Sequence, residues 1–445
     1  MAEKVLTERD GDVLVVVIDN PPINAGSIDV RRGILNAIRM LAQDPTLKAG
    51  VLIGGGTTFI AGSDLREFGQ ALEDPQLPAL IAAIEACAKP VVAALHGAAL
   101  GGGFELALGC DARVASPKTV VGLPEVTLGM VPGAGGTQRL PRIVGVATAI
   151  RLICSGERPN AASAKALGIV DAIAPGDLRQ AAVLYASNMR AKRRLREQAV
   201  PFETQQLIDD AARAALATGR ARPPVVLAIE LVLASRTLPV DEALQRERAL
   251  FQQLRMSREA AALRHLFFAE REAAKQPLVA QEVSGSIGRR IYGALHRQCE
   301  WMLEEGATRA QIDTALKTFG FLTGPFAAAD TRGQDMAGMM RPAQHPPRNN
   351  IQPRTMGGDE IVRRAMLAMV NQSACLLSEG VAARPSQIDV VMVQLYGFPR
   401  WEGGPVFYAQ QRGAAALSAD IAWLAHVSGP GLRIGDLAAL ALPAH

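Results

Sequence analysis

The stretch "LGGGFELALGCD", residues 100–111, places three consecutive glycines and one carboxylate inside an otherwise apolar segment. Glycine lets the backbone turn sharply into a helix and leaves amide N–H groups with no side chain above them. Such a helix start suits an oxygen atom that becomes negative during a reaction. Glu105 follows Gly102 by about one helical turn, so its carboxylate can face the same pocket. The alternative is a glycine-lined helix crossing in which Glu105 pairs with a surface arginine.

Two further turns carry groups of the same kind. In "GLPEVTLGMVPGAGGTQRLP", 122–141, Glu125 follows a proline and precedes a second glycine-rich turn, although an isolated Pro-Glu pair is usually only a turn. In "FIAGSDLREF", 59–68, the N–H of Ser63 lies in a tight turn and offers another donor. Asp64 is interpreted as making a local hydrogen bond in this turn.

Composition limits the classes of protein that the chain can belong to. Its 445 residues are enough for two or three domains with at least one large core. Hydrophobic residues make up 49% and charged residues 20%, which excludes a wholly disordered chain. The net charge is only +4 and the basic residues are widely spread, so we do not expect nucleic-acid binding.

The cysteines and the N-terminus bear on the cellular compartment. Five cysteines, far apart and odd in number, form neither a disulfide framework nor a zinc-binding spacing: Cys87, Cys110, Cys154, Cys299 and Cys375. The N-terminus lacks the pattern of a secretory signal, and the longest apolar stretch, about 79–110, contains charged residues. These features predict a cytoplasmic protein with no membrane segment and no metal.

Strand and helix signals alternate over about the first 180 residues. "VLVVVIDNPP", "KAGVLIGGG" and "KPVVAALHG" predict strands. Ser27 is a candidate cap for a helix in which apolar residues recur at helical spacing: Ile34, Leu35, Ile38 and Leu41. From about 182 to 277 the pattern is helical and charge-rich, and its basic run "RAKRRLREQ" is interpreted as a solvated helix face, with phosphate binding as the alternative.

Helical periodicity dominates from residue 278 onward, where a weak internal repeat is present. "CEWMLEEGATRAQIDTALKTFGFLTGPF" and "ACLLSEGVAARPSQIDVVMVQLYGFPRWEGGPVF" share the order Leu, Glu-Gly, Ile-Asp, Gly-Phe, Gly-Pro. One such unit could hardly bury its own apolar face, so we expect two units packed on each other, at about 278–340 and 358–445. The intervening "RPAQHPPRNNIQPRTMGG" predicts an exposed linker.

The segments around Ser63, Glu105 and Glu125 together resemble the crotonase superfamily of enoyl-CoA hydratases and isomerases. "NPPINA" and "SGERPNAASAKALGIVDAI" extend the resemblance across roughly the first 180 residues. The resemblance implies an α/β crotonase spiral of ββα units. The predicted organisation is a crotonase core at 1–181, a helical extension at 182–277 and an all-helical domain at 278–445.

The resemblance also implies roles for the site residues. The N–H groups of Ser63 and Gly102 would form an oxyanion hole for the thioester carbonyl of an acyl-CoA substrate. Glu125 would be the main proton donor to the second acyl carbon, and Glu105 would hold and help deprotonate the water. The implied substrate-binding residues flank these groups: Ala61, Gly62, Asp64, Leu65, Gly101, Pro124 and Gly133.

A pair of carboxylates fits the addition of water to a double bond. Two carboxyl groups that share one proton can supply an acid and a base at neutral pH, provided that burial and repulsion raise one pKa. Isomerases of the same fold often keep only one glutamate, so the pair predicts reversible syn hydration of 2-trans-enoyl-CoA to 3-hydroxyacyl-CoA, in fatty-acid β-oxidation or related metabolism. The alternatives are a Δ3-Δ2 enoyl-CoA isomerase and a non-catalytic acyl-CoA-binding or scaffold protein.

The C-terminal part resembles the helical domain of L-3-hydroxyacyl-CoA dehydrogenases, as found in bifunctional β-oxidation enzymes. In those enzymes an NAD-binding Rossmann domain separates the two parts, whereas here "FFAEREAAKQP" runs directly into "LVAQEVSGSIGRRIYG". The family commonly reads Gly-Asn-Arg where this chain has Gly288, Arg289 and Arg290, and that asparagine helps form the dehydrogenase site. The resemblance therefore implies no required cofactor, no NAD binding and no dehydrogenase activity. Expected partners are the acyl-CoA substrate and either further copies of the chain or other β-oxidation enzymes.

Overall fold

A mostly parallel sheet forms the centre of the N-terminal part of the chain. The strands are β1 (Val5–Asp10), β2 (Val13–Ile18), β3 (Ala49–Gly54), β4 (Val91–Leu95), β5 (Ala98–Leu100), β6 (Ala112–Ala115), β7 (Val120–Gly122) and β8 (Ala172–Ile173). The main sheet has the order β1-β2-β3-β4-β6-β8, in which β1 is antiparallel to β2 and the other pairs are parallel. β5 and β7 form a second, parallel sheet. The α/β pattern and the crotonase-type fold predicted from the sequence are confirmed.

The computed structural model describes residues 3–275, 281–327, 354–429 and 432–441. The chain divides between Ala260 and Ala261 into two units, each with its own hydrophobic core. The domain boundary predicted at 277/278 lies among residues 276–280, outside the described residues. The predicted helical extension, up to Ala260, belongs to the same unit as the sheet.

Burial of the strands explains their uninterrupted apolar runs. Every residue of β4 is buried, and all but one of β2 are buried. Parallel strands covered by helices on both faces have no polar side, so their sequences do not alternate. The three strands predicted from "VLVVVIDNPP", "KAGVLIGGG" and "KPVVAALHG" are therefore β2, β3 and β4.

Helices surround the sheet and extend the first unit. They are α1 (Ile28–Gln43), α2 (Leu77–Ala86), α3 (Gly102–Gly109), α4 (Gly136–Arg139), α5 (Pro141–Val144), α6 (Val146–Ser155), α7 (Ala161–Ala166), α8 (Leu178–Asn188), α9 (Gln205–Thr218), α10 (Pro223–Thr237), α11 (Val240–Arg255) and α12 (Arg258–Ala274). The division between the two units falls within α12.

The helix predicted after Ser27 is α1, and its apolar face is buried as the spacing required. Ser27 occupies the N-cap position, but its hydroxyl makes no capping hydrogen bond. Glu67 takes that role instead, because its Oε1 accepts the N–H of Ile28 at 3.1 Å. A side chain 39 residues away thus satisfies the helix start.

The basic run at 190–198 does not lie on a solvated helix face, so that interpretation is wrong. α8 ends at Asn188, before the run begins. Lys192 Nζ donates to Asp111 Oδ2 at 2.7 Å, and the Arg193 N–H donates to Asp111 Oδ1 at 2.7 Å. Asp111 is only 1% exposed, so the Lys192 ammonium neutralises a buried carboxylate, and together with the Arg193 N–H it anchors the segment to the core.

The second unit is helical throughout its described part. Its helices are α13 (Gln281–Glu304), α14 (Arg309–Phe319), α15 (Gly358–Ser378), α16 (Pro385–Tyr396), α17 (Pro405–Gln410) and α18 (Ala414–Ser428). The bounds predicted for the first repeat, 278–340, and most of the linker between the repeats lie outside the described residues.

The internal repeat corresponds to a repeated structural device. Asp313 on α14 accepts the N–H groups of Phe326 and Ala327 at 3.1 and 2.9 Å. Asp389 on α16 accepts those of Val406 and Phe407 at 2.8 and 3.1 Å. In both copies the Ile-Asp carboxylate caps the helical turn that begins at the Gly-Pro pair, which explains why these residues recur in the same order.

Within the described ranges, no helix is both long and apolar enough to cross a membrane. Nor do the described His, Cys, Asp and Glu side chains form a group of three or more that could bind a metal ion. A cavity of about 790 Å³ in the second unit lies between α14 and the start of α15.

Candidate active site

Glu105 lies in the first turn of α3, where the three glycines make a tight start to the helix. Gly101 has φ +54° and ψ −130°, a conformation that side-chain-bearing residues rarely adopt. The Glu105 N–H donates to the Gly101 carbonyl at 2.9 Å, and the Glu105 residue is only 3% exposed. The alternative of an acid paired with a surface arginine is therefore wrong, because the carboxylate is buried and hydrogen-bonded to backbone.

Backbone amides from the second glycine-rich turn hold the Glu105 carboxyl. Its Oε1 accepts the N–H of Ala134 at 2.7 Å and that of Gly136 at 2.9 Å. Burial raises the pKa of Glu105, while these hydrogen bonds and the nearby charge of Arg139 oppose the rise. The carboxyl is thus oriented by the main chain and retains a pKa above its ordinary value.

Glu125 begins a short 3-10 helix, Glu125–Leu128, and faces Gly101. Its Oε1 lies 3.2 Å from the position that a Cβ at Gly101 would occupy, and its buried Oε2 has no hydrogen-bond partner among the described residues. Burial, followed by the charge of Glu105, raises the pKa of Glu125 well above its ordinary value. The structure therefore brings the two acids predicted from the sequence close enough to interact, and it leaves one carboxyl oxygen of Glu125 available.

Ser63 and Gly102, the predicted backbone donors, are neighbours in space. A Cβ at Gly102 would lie 2.5 Å from Ser63 Oγ. Their N–H groups donate to no acceptor in the part of the chain that the structure describes. Both donors are therefore free to bind a ligand oxygen, and their role as an oxyanion hole stays a prediction.

The segment around Ser63 is held by local contacts. Gly62 has φ +147°, and its carbonyl accepts the N–H of Gly26 at 3.0 Å. Asp64 Oδ1 accepts the N–H of Arg66 at 3.0 Å, which confirms its predicted local hydrogen bond. The carboxylate is also paired with the Arg66 guanidinium at 2.7 Å. Ala61 and Leu65 lie on the same segment, and substrate binding by these residues stays a prediction.

The remaining predicted substrate-binding residues lie beside the acids. Pro124 directly precedes Glu125 and occupies the N-cap position of its 3-10 helix. Gly133 lies against the Phe251 ring, since a Cβ at Gly133 would be 2.3 Å from Phe251 Cγ. Gly133 therefore allows α11 to approach the glycine-rich turn.

Glu247 on α11 is a third buried acid that the sequence analysis missed. Its Oε1 accepts the Gly135 N–H at 2.5 Å, and its Oε2 accepts the Thr137 N–H at 2.9 Å and the Thr137 hydroxyl at 2.5 Å. Burial and then the charge of Glu105 raise the pKa of Glu247 to about 8. One signal was present in the sequence: this carboxylate interrupts a helix face whose apolar residues include Ala243, Phe251 and Leu254, all of which are buried.

Two buried acids that interact electrostatically lie beside two free backbone donors, an arrangement typical of enzymes of the crotonase class. Residues 8–222 match the enoyl-CoA hydratase/isomerase family, so this part of the chain is similar to that family. Residues 285–355 match the C-terminal domain of the 3-hydroxyacyl-CoA dehydrogenases.

Several curated relatives match this chain, and the alignments differ in how much of it they cover. A peroxisomal bifunctional enzyme of Danio rerio is 40% identical over 291 residues, which cover 62% of this chain and 39% of the relative. A peroxisomal bifunctional enzyme of Homo sapiens is 24% identical over 669 aligned positions, 92% of each chain. A peroxisomal fatty acid beta-oxidation multifunctional protein of Arabidopsis thaliana is 34% identical over 288 residues, covering 61% of this chain and 40% of the relative.

The alignments also show what this chain does not contain. The alignment with the human relative extends over 669 positions, more than the 445 residues of this chain, so it includes gaps in the sequence of this chain. The hydratase/isomerase match ends at 222 and the dehydrogenase C-terminal match begins at 285. The interval between them holds α10 to α12 and no Rossmann-sized region, so the chain lacks the NAD-binding domain region.

Proposed function

We propose that the protein catalyses the reversible syn hydration of 2-trans-enoyl-CoA to 3-hydroxyacyl-CoA. The observation that carries the proposal is the pair of buried carboxyls, Glu105 and Glu125, each with a pKa raised above its ordinary value. A pair of this kind supplies one protonated and one ionised carboxyl at neutral pH. Hydration needs both forms in the same turnover.

The free N–H groups of Ser63 and Gly102 would bind the thioester oxygen and stabilise the enolate that forms as water adds. One such donor is typically worth about 10²–10³ in rate. The close approach of the two donors also explains the glycine at 102, because a Cβ there would lie 2.5 Å from Ser63 Oγ.

Proton transfer would follow from the different surroundings of the two acids. Glu105, held by two amides, would orient a water and accept one of its protons as the oxygen bonds to the third acyl carbon. Glu125 would donate its proton to the second carbon. A proton passing from Glu105 to Glu125 then restores the starting state, so water is consumed and no other reactant is needed.

The proposal extends to the cofactor and the pathway. The chemistry needs no cofactor beyond the CoA carried by the substrate, and we expect no NAD binding or dehydrogenase activity, because the NAD-domain region is lacking and Arg289 replaces the family's asparagine. Similarity to the Arabidopsis fatty acid beta-oxidation multifunctional protein supports a place in fatty-acid β-oxidation. Assembly with further copies of the chain or with other β-oxidation enzymes and a cytoplasmic location stay predictions, whereas the relatives are named as peroxisomal.

The test is Glu125→Gln, compared with wild type on a short 2-trans-enoyl-CoA. We expect the loss of the enoyl-thioester absorbance to slow by about 10²–10⁴-fold, the usual contribution of general acid–base catalysis. Glu242→Gln, an exposed change on α11, is the matched control. Wild-type turnover by Glu125→Gln would refute the mechanism.

Product analysis separates the alternatives. The proposed hydratase converts 2-trans-enoyl-CoA to 3-hydroxyacyl-CoA. Conversion of 3-enoyl-CoA to 2-enoyl-CoA without water addition would identify an isomerase instead. Tight acyl-CoA binding without turnover at several chain lengths would identify a binding or scaffold protein.

A further inference from the structure

Successive N–H groups of the turn at 134–137 donate in alternation along the chain to two buried carboxyl groups, those of Glu105 and Glu247. The N–H groups of residues 134 and 136 donate to Glu105 Oε1 at 2.7 and 2.9 Å. Those of residues 135 and 137 donate to Glu247, at 2.5 and 2.9 Å. Four successive amides are therefore divided between α3 and α11, and neither carboxyl can move without disturbing the backbone that orients the other.

The conformation of this turn depends on its glycines. Gly135 has φ +103°, and a Cβ there would lie 1.7 Å from Arg139 Nη1. A Cβ at Gly136 would lie 3.1 Å from Glu105 Oε1. The Thr137 hydroxyl adds a third hydrogen bond to Glu247, at 2.5 Å. The hydrogen bonds to the two carboxyls and the positive φ of Gly135 together fix the backbone conformation of this turn.

We propose that Glu247 is a positioning residue for the hydration reaction, whose carboxyl holds the turn at 134–137 in the conformation that orients the Glu105 carboxyl. This inference rests on the proposed function. Glu247 acts through the main chain: its hydrogen bonds are made to the turn. Loss of those hydrogen bonds would shift Glu105 relative to Glu125 and the water.

Because charged groups surround Glu247, its effect on the reaction can be measured from the pH dependence of the hydration rate. Glu105 on α3, Glu125 on its 3-10 helix and Arg248 on α11 all interact electrostatically within this group, and Arg139 on α4 acts on Glu105. Burial and Glu105 raise the pKa of Glu125, and the charge of Glu247 adds to the rise. Removing that charge lowers the pKa of Glu125. Because Glu125 donates its proton in hydration, the loss of rate at high pH then begins at a lower pH.

The experiment is Glu247→Gln, measured as steady-state hydration across pH. The amide keeps one acceptor oxygen but presents an NH₂ group to a backbone donor, so the turn must shift. We expect kcat to fall about 10- to 100-fold with KM nearly unchanged, and the high-pH limb to move to lower pH. Glu242→Gln on the same helix is the control and keeps the wild-type profile.

A second pair of variants decides the question if Glu247→Gln does not fold. Thr137→Val removes one of the three donors to Glu247, and Thr137→Ser retains it. We expect kcat to fall in the valine variant and to return toward wild type in the serine variant. Wild-type kcat in Thr137→Val, or an unmoved high-pH limb in folded Glu247→Gln, overturns the inference.

The two proposals fail in distinguishable ways. A wild-type protein without hydratase turnover refutes the proposed function, and the inference falls with it. If the wild type is active, Glu125→Gln inactivates it and Glu247→Gln leaves the activity unchanged, the inference alone is refuted.

Discussion

A Cβ atom at Gly101 would lie 3.2 Å from Oε1 of Glu125. The Gly101 carbonyl also accepts the N–H of Glu105, at 2.9 Å. The residue immediately before α3 is therefore in contact with both acids of the proposed pair. Its positive φ, +54°, favours glycine, which has no side chain to displace Glu125.

Gly101→Ala should reduce hydratase kcat by about 10- to 100-fold, because the methyl group displaces Glu125 and the alanine is strained at positive φ. Initial rates with a short 2-trans-enoyl-CoA measure the effect. Gly176→Ala is the control, since a Cβ there meets nothing within 4 Å. A Gly101→Ala variant with wild-type kcat would show that the close contact with Glu125 has no catalytic consequence.

The pH dependence of hydration should reflect the raised pKa of each acid. Burial raises the pKa of Glu105 above 4.5, so the base is lost as pH falls through that raised value. Burial and the Glu105 charge raise the pKa of Glu125 well above 4.5, so the proton donor is lost as pH rises through it. A plot of kcat/KM against pH should therefore be bell-shaped. The two apparent pKa values of that plot belong to the pair of acids as a whole. A rate that is independent of pH on the alkaline side would contradict the role of Glu125.

The two capping aspartates of the helical unit, Asp313 and Asp389, should contribute unequally to its free energy of unfolding. Asp389 is fully buried and its Oδ2 is also hydrogen-bonded to His265 Nε2 at 2.9 Å, whereas Asp313 is half-buried. Asp389→Asn should cost about 2–4 kcal/mol of unfolding free energy, because the amide turns a donor toward buried N–H groups. Asp313→Asn should cost less. Thermal unfolding followed by circular dichroism tests the order, and equal losses would refute it.

The helical unit should not confer dehydrogenase activity. Arg289 is exposed and occupies the position of the family's asparagine. Incubation of 3-hydroxyacyl-CoA with NAD should yield no NADH above the rate without enzyme. Sustained NADH production would show that the second unit forms a redox site after all.

The sequence predicted those elements that depend on residues close together along the chain. Glycines at 101–103 predicted a sharp helix start, and apolar runs predicted β2, β3 and β4. The repeated Ile-Asp and Gly-Pro pairs predicted a duplicated unit, and the structure showed the hydrogen bonds that the pairs serve. The interpretation of 190–198 as a solvated helix face was wrong, because a basic residue can also pair with a buried carboxylate. That carboxylate, Asp111, lies 81 residues before Lys192, so the charge pattern alone did not indicate the pair.

The sequence by itself determined that an acid follows a glycine-rich turn and that a second acid begins another, since both depend on neighbours along the chain. Only the tertiary structure decided that Glu247 shares the turn at 134–137 with Glu105, because Gly135 and Glu247 are 112 residues apart. Hydrogen bonds over such a separation form only when α11 packs against that turn. Burial, which raises the pKa of all three acids, arises from the same packing.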